Sequence, residues 1–171
     1  PLISATGSCR MGRHVGTQVA KRLARSLLEL GGNNAIIVTE TADIDLVVRG
    51  TVFGAVGTAG QRCTSTRRLI CHESLVDAVT SGLVAAYNTV PIGDPLESST
   101  LVGPLIDQRS VDAMRTAIGV AQAQGCEVLC GGVEGIDTFA DDAGNFVTPT
   151  IIKVPRGEVP DITRDETFAP I

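Results

Sequence analysis

The stretch "LELGGNNAIIV", Leu28 to Val38, decides how the rest of the chain is read. Two runs of strand-forming residues flank the pair Gly31-Gly32, where neither helix nor strand continues easily. "SLLEL" predicts a strand before the pair. "NAIIV" after it is a continuous apolar run of the kind that parallel sheets bury. Glu29 is the exception inside the first run. A carboxylate among apolar neighbours is expected to be desolvated, which raises its pKa and suits it to take a proton from water or a thiol. The alternative is an edge-strand carboxylate facing solvent. Gly31 and Gly32 would let the backbone pass close to a ligand.

Upstream, "PLISA" reads as a strand, "TGSCRMG" as a turn, and Val15, Val19 and Leu23 recur at helical spacing. Downstream, a helix is expected from Asp43 to about Val56, with Leu46, Val47, Gly50, Phe53 and Gly54 toward the core. "RLICH" is a further strand. Ser74 then opens a helix, with Asp77 three residues on in a capping-box arrangement and a stripe of Leu75, Val79, Leu83 and Ala86. A loop punctuated by Pro and Gly leads to a helix from Asp107 to Gln124. Val111, Met114, Ile118 and Ala121 face inward there, and Gly125 ends it. "CEVLC", a polar insert rich in Asp and Gly, and "NFVTPTIIKV" complete the visible elements. Strands alternating with helices imply an α/β fold with a mostly parallel, doubly wound sheet.

Composition narrows the function. The 171 residues are 43% hydrophobic, enough to bury a core. The net charge of −5 and the absence of a basic stripe argue against nucleic acid as partner. No apolar run approaches the roughly 20 residues that span a bilayer, and no secretory signal pattern precedes the first strand. Five cysteines, an odd number without such a signal, favour reduced thiols and a cytoplasmic location. "CEVLC" lacks a second pair or a nearby His, so no metal is expected there. Alternation instead puts Cys126, Val128 and Cys130 on one strand face as small core residues. The chain opens on Pro1 inside a strand and stops at "ETFAPI", which reads as a piece of a longer protein.

Two further stretches carry chemistry. "GTAGQRCTSTRR", Gly57 to Arg68, surrounds Cys63 with glycines, small hydroxyl residues and arginines. A free thiol titrates near pH ~8.5, and Arg62 with nearby backbone N–H donors would raise its thiolate fraction. A packed structural thiol is the commoner fate of a lone cysteine, but these polar, glycine-rich surroundings argue for a working one. A cysteine hydrolase would need His14 or His72 as its base. In "ATGSCRMGRHV", a strand, a turn and a helix place N–H groups and the Ser8 hydroxyl at a helix N-terminus, a ready anion site. The spacing Gly7-x4-Gly12 matches neither G-x-G-x-x-G nor a P-loop, and a simple strand-to-helix turn explains it equally well.

"LELGGNNAIIV", "GTAGQRCTSTRR", "IGDPL…GPL", "PTII" and "ETFAPI" together resemble the aldehyde dehydrogenase superfamily in order and spacing, over essentially the whole chain. "GNNAIIV" and "GQRCT" with "RRL" are most similar to its antiquitin branch, the α-aminoadipic semialdehyde dehydrogenases of lysine catabolism. The resemblance implies two domains: residues 1–30 as the end of a dinucleotide-binding domain, and residues 31–171 as an incomplete catalytic domain. It implies NAD-dependent oxidation of an aldehyde to an acid, with NADP left open because the discriminating residues lie outside the chain. Cys63 would be the nucleophile, its backbone N–H half of the oxyanion hole, and Glu29 the activator of the hydrolytic water. Gly7, Ser8 and Gly12 would lie near the dinucleotide phosphates and Leu30 and Gly31 beside the nicotinamide. Glu166 would hold the ribose hydroxyls, with Phe168 packed nearby. Arg62 would grip a substrate carboxylate and Thr64 line the same pocket, the alternative for Arg62 being a brace for its own loop.

Three departures stand out: Ala5 replaces a usual aromatic, Cys9 a usual Thr, and the insert "GIDTFADDAGN" is long and expected at the surface. The resemblance also implies a small-molecule aldehyde substrate and a homo-dimer or homo-tetramer at full length. The isolated chain is expected to turn over little aldehyde. A truncated, non-catalytic relative is the first alternative and a cysteine hydrolase the second.

Overall fold

The computed structural model describes residues 1–139 and 144–171, and the chain divides into two compact units, Pro1–Gly32 and Asn33–Ile171.

The first unit is a single βαβ turn: β1 (Leu2–Thr6), α1 (Cys9–Lys21) and β2 (Arg25–Glu29). The strands pair in parallel, from Leu2 opposite Arg25 to Thr6 opposite Glu29. Ser8 starts α1 by accepting the Met11 N–H on its hydroxyl at 3.1 Å. Gly12 is buried because Leu30 lies over it: a Cβ there would stand 2.5 Å from Leu30 Cδ2. Val19 joins the buried face as expected, but Leu23 does not. The helix has already ended, and Leu23 sits at φ 53°, 96% exposed.

In the second unit β3 (Asn34–Val38) and β4 (Thr66–Cys71) form a parallel pair, with a register shift between Asn34 and Ala35. Between them runs α2 (Ile44–Val56), capped by the Asp43 carboxylate on the Leu46 N–H. Next come α3 (Val76–Tyr87), α4 (Gln108–Ala123), β5 (Glu127–Cys130), α5 (Gly132–Asp137) and β6 (Ile151–Lys153). The α/β class and the parallel pairing of the first four strands are as expected. The last pair, β5 with β6, is antiparallel, and the described strands form three two-stranded sheets.

The core gathers Val79, Leu83 and Tyr87 of α3, Val111, Met114 and Ile118 of α4 and Ile136 of α5, with Val102, Leu105 and Val147 from the connecting segments; Ala121 of α4 is buried as well. Other expectations fail at particular places. On α2 the buried residues are Thr51, Ala55 and Val56, while Leu46 and Phe53 are exposed. The reason is close approach through small residues. A Cβ on Gly82 of α3 would stand 2.9 Å from Val48, and one on Gly54 would collide with the Thr66 hydroxyl of β4. β3 buries Val38 but leaves Ile37 exposed, so it is covered on one face only.

No capping box starts the helix after β4. The His72 ring accepts the Ser74 N–H, a 3-10 turn covers Glu73–Leu75, and α3 begins at Val76 with no side-chain cap. The insert is not wholly superficial either, because α5 buries Gly135 and Ile136; its residues 140–143 lie outside the described residues. Cys126 is buried, with Val128 and Cys130 packed on the core, as alternation predicts.

Candidate active site

Cys63 lies in a tight loop between α2 and β4. Thr58, Ala59 and Gly60 take successive left-handed conformations, with φ of 56°, 51° and 67°. Such geometry costs a non-glycine residue about 1–2 kcal/mol and persists only where its surroundings over-determine it. Here they do. Ala59 is buried, and the Thr58 hydroxyl accepts from Arg62 Nε at 2.7 Å. Gly60 has no alternative, since a Cβ would strike the carbonyl oxygen of Ala169.

Side chains hold the loop from several directions. Gln61 accepts the Ile106 N–H at 2.9 Å. Buried Ser65 receives the Arg62 N–H on its hydroxyl at 3.2 Å and returns its own N–H to the Arg62 carbonyl at 3.1 Å. From β3, the Asn34 amide donates to the carbonyls of Cys63 at 2.7 Å and Ser65 at 2.9 Å.

The result is a fixed backbone carrying an exposed thiol. Among the described residues the N–H groups of Cys63 and Thr64 find no acceptor. Thiol and amides together suit addition to a carbonyl whose oxygen gathers negative charge. By contrast, burial pushes the Cys71, Cys126 and Cys130 thiols above the ordinary cysteine value.

Arg62 makes the bracing contacts of the second reading. Its Nε braces the loop through Thr58, and its guanidinium carbon sits 6.0 Å from the centroid of the Phe53 ring. Its two Nη groups carry no hydrogen bond among the described residues and stay available to a carboxylate. Thr64 is exposed beside Cys63.

At the chain's end Glu166 and Phe168 stand around Arg67. The Arg67 side chain is 3% exposed; it donates to the carbonyl of Ala169 at 2.8 Å and that of Arg62 at 3.3 Å. It approaches Glu166 Oε1 at 3.7 Å and lies 5.5 Å from the Phe168 ring centroid. Glu166 Oε1 is buried and receives no hydrogen bond among the described residues, while the side chain as a whole keeps 22% of its surface exposed.

In the first unit the Gly7 N–H is spent on the Glu29 carbonyl at 3.0 Å, whereas the Cys9 and Arg10 N–H groups at the start of α1 have no acceptor among the described residues. With Ser8 exposed beside them, these donors fit a phosphate. Leu30 covers Gly12, and Gly31 follows half-buried. Glu29 ends β2 exposed to solvent, so the apolar burial expected from its neighbours is absent. In a short strand with one pairing partner, flanking leucines do not by themselves exclude water.

The hydrolase alternative loses one of its two candidate bases. His72 sits beyond the far end of β4, six residues or roughly 20 Å of strand rise from the loop, and its Nδ1 is engaged by the Ser74 hydroxyl at 2.8 Å.

Asn34, Ser65 and Arg67 went unnoticed in sequence. Asn34 falls at the register shift that breaks β3, and two consecutive arginines opening a strand mean that one must point inward. These were the available signals.

Residues 1–171 match the model of the aldehyde dehydrogenase family. The chain belongs to that family. It is 48% identical to aldehyde dehydrogenase family 7 member A1 of Brassica napus over 173 residues, covering 100% of this chain and 33% of that protein. With alpha-aminoadipic semialdehyde dehydrogenase of Mus musculus it shares 45% identity, over 99% of this chain and 30% of that one. The crystal structure of betaine aldehyde dehydrogenase from Staphylococcus aureus in complex with NAD+ matches with a TM-score of 0.91 at 29% identity, over 99% of this chain and 33% of that one. The chain thus spans about a third of the length of the curated relatives it matches.

Proposed function

We propose that this chain is the thiol-bearing segment of an NAD-dependent aldehyde dehydrogenase that oxidises a semialdehyde carrying a carboxylate. The observation that carries the reading is Cys63: an exposed thiol on a backbone pinned by Asn34 and Ser65, with unspent amide donors beside it.

Cys63 Sγ adds to the aldehyde carbon, and the carbonyl π electrons move onto oxygen, which the Cys63 N–H stabilises. Bound NAD would supply the acceptor for the hydride that leaves the adduct carbon as its C–H bond breaks and the thioester C=O re-forms. Glu29 takes a proton from the water that then attacks the thioester carbon. The carbon–sulfur bond breaks, releasing the acid and restoring the thiol.

Residues 1–30 serve as the end of the dinucleotide-binding domain, with Gly7, Ser8 and Gly12 at the phosphates and Leu30 and Gly31 at the nicotinamide. Glu166 holds its ribose hydroxyls from residues 31–171, with Phe168 packed nearby. Arg62 reads the distal carboxylate and Thr64 lines its pocket, which supports α-aminoadipic semialdehyde and a place in lysine degradation. A cytoplasmic homo-dimer or homo-tetramer follows from the same reading.

The test uses the full-length protein that carries this segment. Cys63→Ala abolishes NADH formation. Glu29→Gln keeps the first-turnover burst but slows the steady state, since only deacylation needs the base. Arg62→Ala raises KM for a carboxylate-bearing aldehyde about ten- to a hundredfold over its effect on an aliphatic one, the worth of a charge-assisted bidentate contact. Cys63→Ala with undiminished turnover refutes the reading.

A further inference from the structure

Resting on that function, we infer that Arg67 is the positioning residue that locks the thiol loop to the segment carrying Glu166 and Phe168. Three observations converge on it. First, one buried guanidinium donates both to the carbonyl of Arg62, the residue before the thiol, and to the carbonyl of Ala169. Second, Gly60 lies so close to Ala169 and Pro170 that any side chain there would overlap their backbone, so loop and segment are interlocked as well as bonded. Third, the Arg67 charge stands 3.7 Å from Glu166 Oε1, and neither that oxygen nor Arg67 Nε has a hydrogen-bond partner. The guanidinium therefore holds the carboxylate electrostatically by its buried Oε1, and the exposed part of the Glu166 side chain is left for a ribose.

A fork of five donors in one plane can span two carbonyls and a carboxylate, which a lysine ammonium cannot reproduce from a single point. Arg67 touches neither substrate nor thiol. It works by keeping Glu166, Phe168 and Cys63 in one register.

The experiment measures KM for NAD+, KM for the aldehyde, Tm and Cys63 alkylation in the full-length enzyme. The variants are Arg67→Met, Arg67→Lys, Glu166→Gln and the double variant Arg67→Lys/Glu166→Gln. Arg67→Met is expected to raise KM for NAD+ about tenfold, the cost of losing charge-assisted bonds, with KM for the aldehyde within about twofold. Arg67→Lys recovers part of the NAD+ loss because it keeps the charge.

In the double variant, adding Arg67→Lys to Glu166→Gln raises KM for NAD+ by less than about twofold, since the two residues act as one unit. Iodoacetamide alkylation of Cys63 without cofactor changes in rate in both Arg67 variants, because the Arg62 carbonyl loses one of its two donors and is left with the Ser65 N–H alone.

If Arg67→Met does not fold, the lysine series alone decides through the cycle. Multiplicative effects in the cycle, or parallel rises in both KM values with a falling Tm, overturn the inference. A wild type that oxidises no aldehyde removes the functional reading and this one together. An active wild type with an unchanged KM for NAD+ in the Arg67 variants removes this one alone.

Discussion

Helices α2 and α4 were read by the same spacing rule, with opposite outcomes. In α4, Val111, Met114, Ile118 and Ala121 are 0–5% exposed, and all four were placed inward from spacing alone. In α2 the same rule chose Leu46 and Phe53, which are 64% and 72% exposed, while Thr51 and Ala55 are buried. The difference lies in composition. The polar residues of α4 leave one apolar stripe and so one possible buried face. α2 is apolar nearly all round, "IDLVVRGTVFGAV", so periodicity cannot choose among its faces. Backbone approach chooses instead: Gly54 against Thr66 and Gly82 against Val48 bring α2 onto β4 and α3 along its small-residue side.

Three substitutions can break or sharpen this contrast. Met114→Ala empties a site with no exposed surface and should cost about 2–5 kcal/mol, read as a shift in the urea midpoint; a cost near zero would mean α4 is not seated as described. Thr51→Val should stabilise by about 1 kcal/mol, because the Thr51 hydroxyl is buried without a partner among the described residues. Destabilisation there would reveal an acceptor for that hydroxyl and a different seat for α2. Phe53→Ser should move the midpoint least, by no more than about 0.5–1 kcal/mol, the scale of its exposed contact with Arg62. A loss comparable to that of Met114→Ala would show the Phe53 face to be covered in the complete protein.

Legibility of the site follows the same division. Cys63 stood out because its polar, glycine-rich surroundings argued against a packed thiol, and the structure leaves it exposed. Ser8 was readable at a helix N-terminus because its hydroxyl, which caps α1, needs only the next turn of chain. Asn34 was not, since nothing in "GGNNAIIV" tells which carbonyls its amide meets 29 and 31 residues away. Arg67 was hidden for the same reason: its partners Ala169 and Glu166 come about a hundred residues later. Glu29 shows the converse error. Apolar neighbours in sequence suggested burial, yet exposure depends on what covers a strand and not on what adjoins it.

Apart from α5, local pattern alone settled which helices and strands form and where most of them start and stop, the parallel pairing of the first strands, and the residue types able to do chemistry. These depend on local periods, caps and glycines, which act over a few residues and leave a readable pattern. Only the tertiary structure decided which face of α2 is buried, that β5 and β6 run antiparallel, and that Asn34, Ser65 and Arg67 hold the thiol loop. Those outcomes depend on side-chain volume and hydrogen-bond geometry between segments far apart in the chain, for which no spacing rule exists.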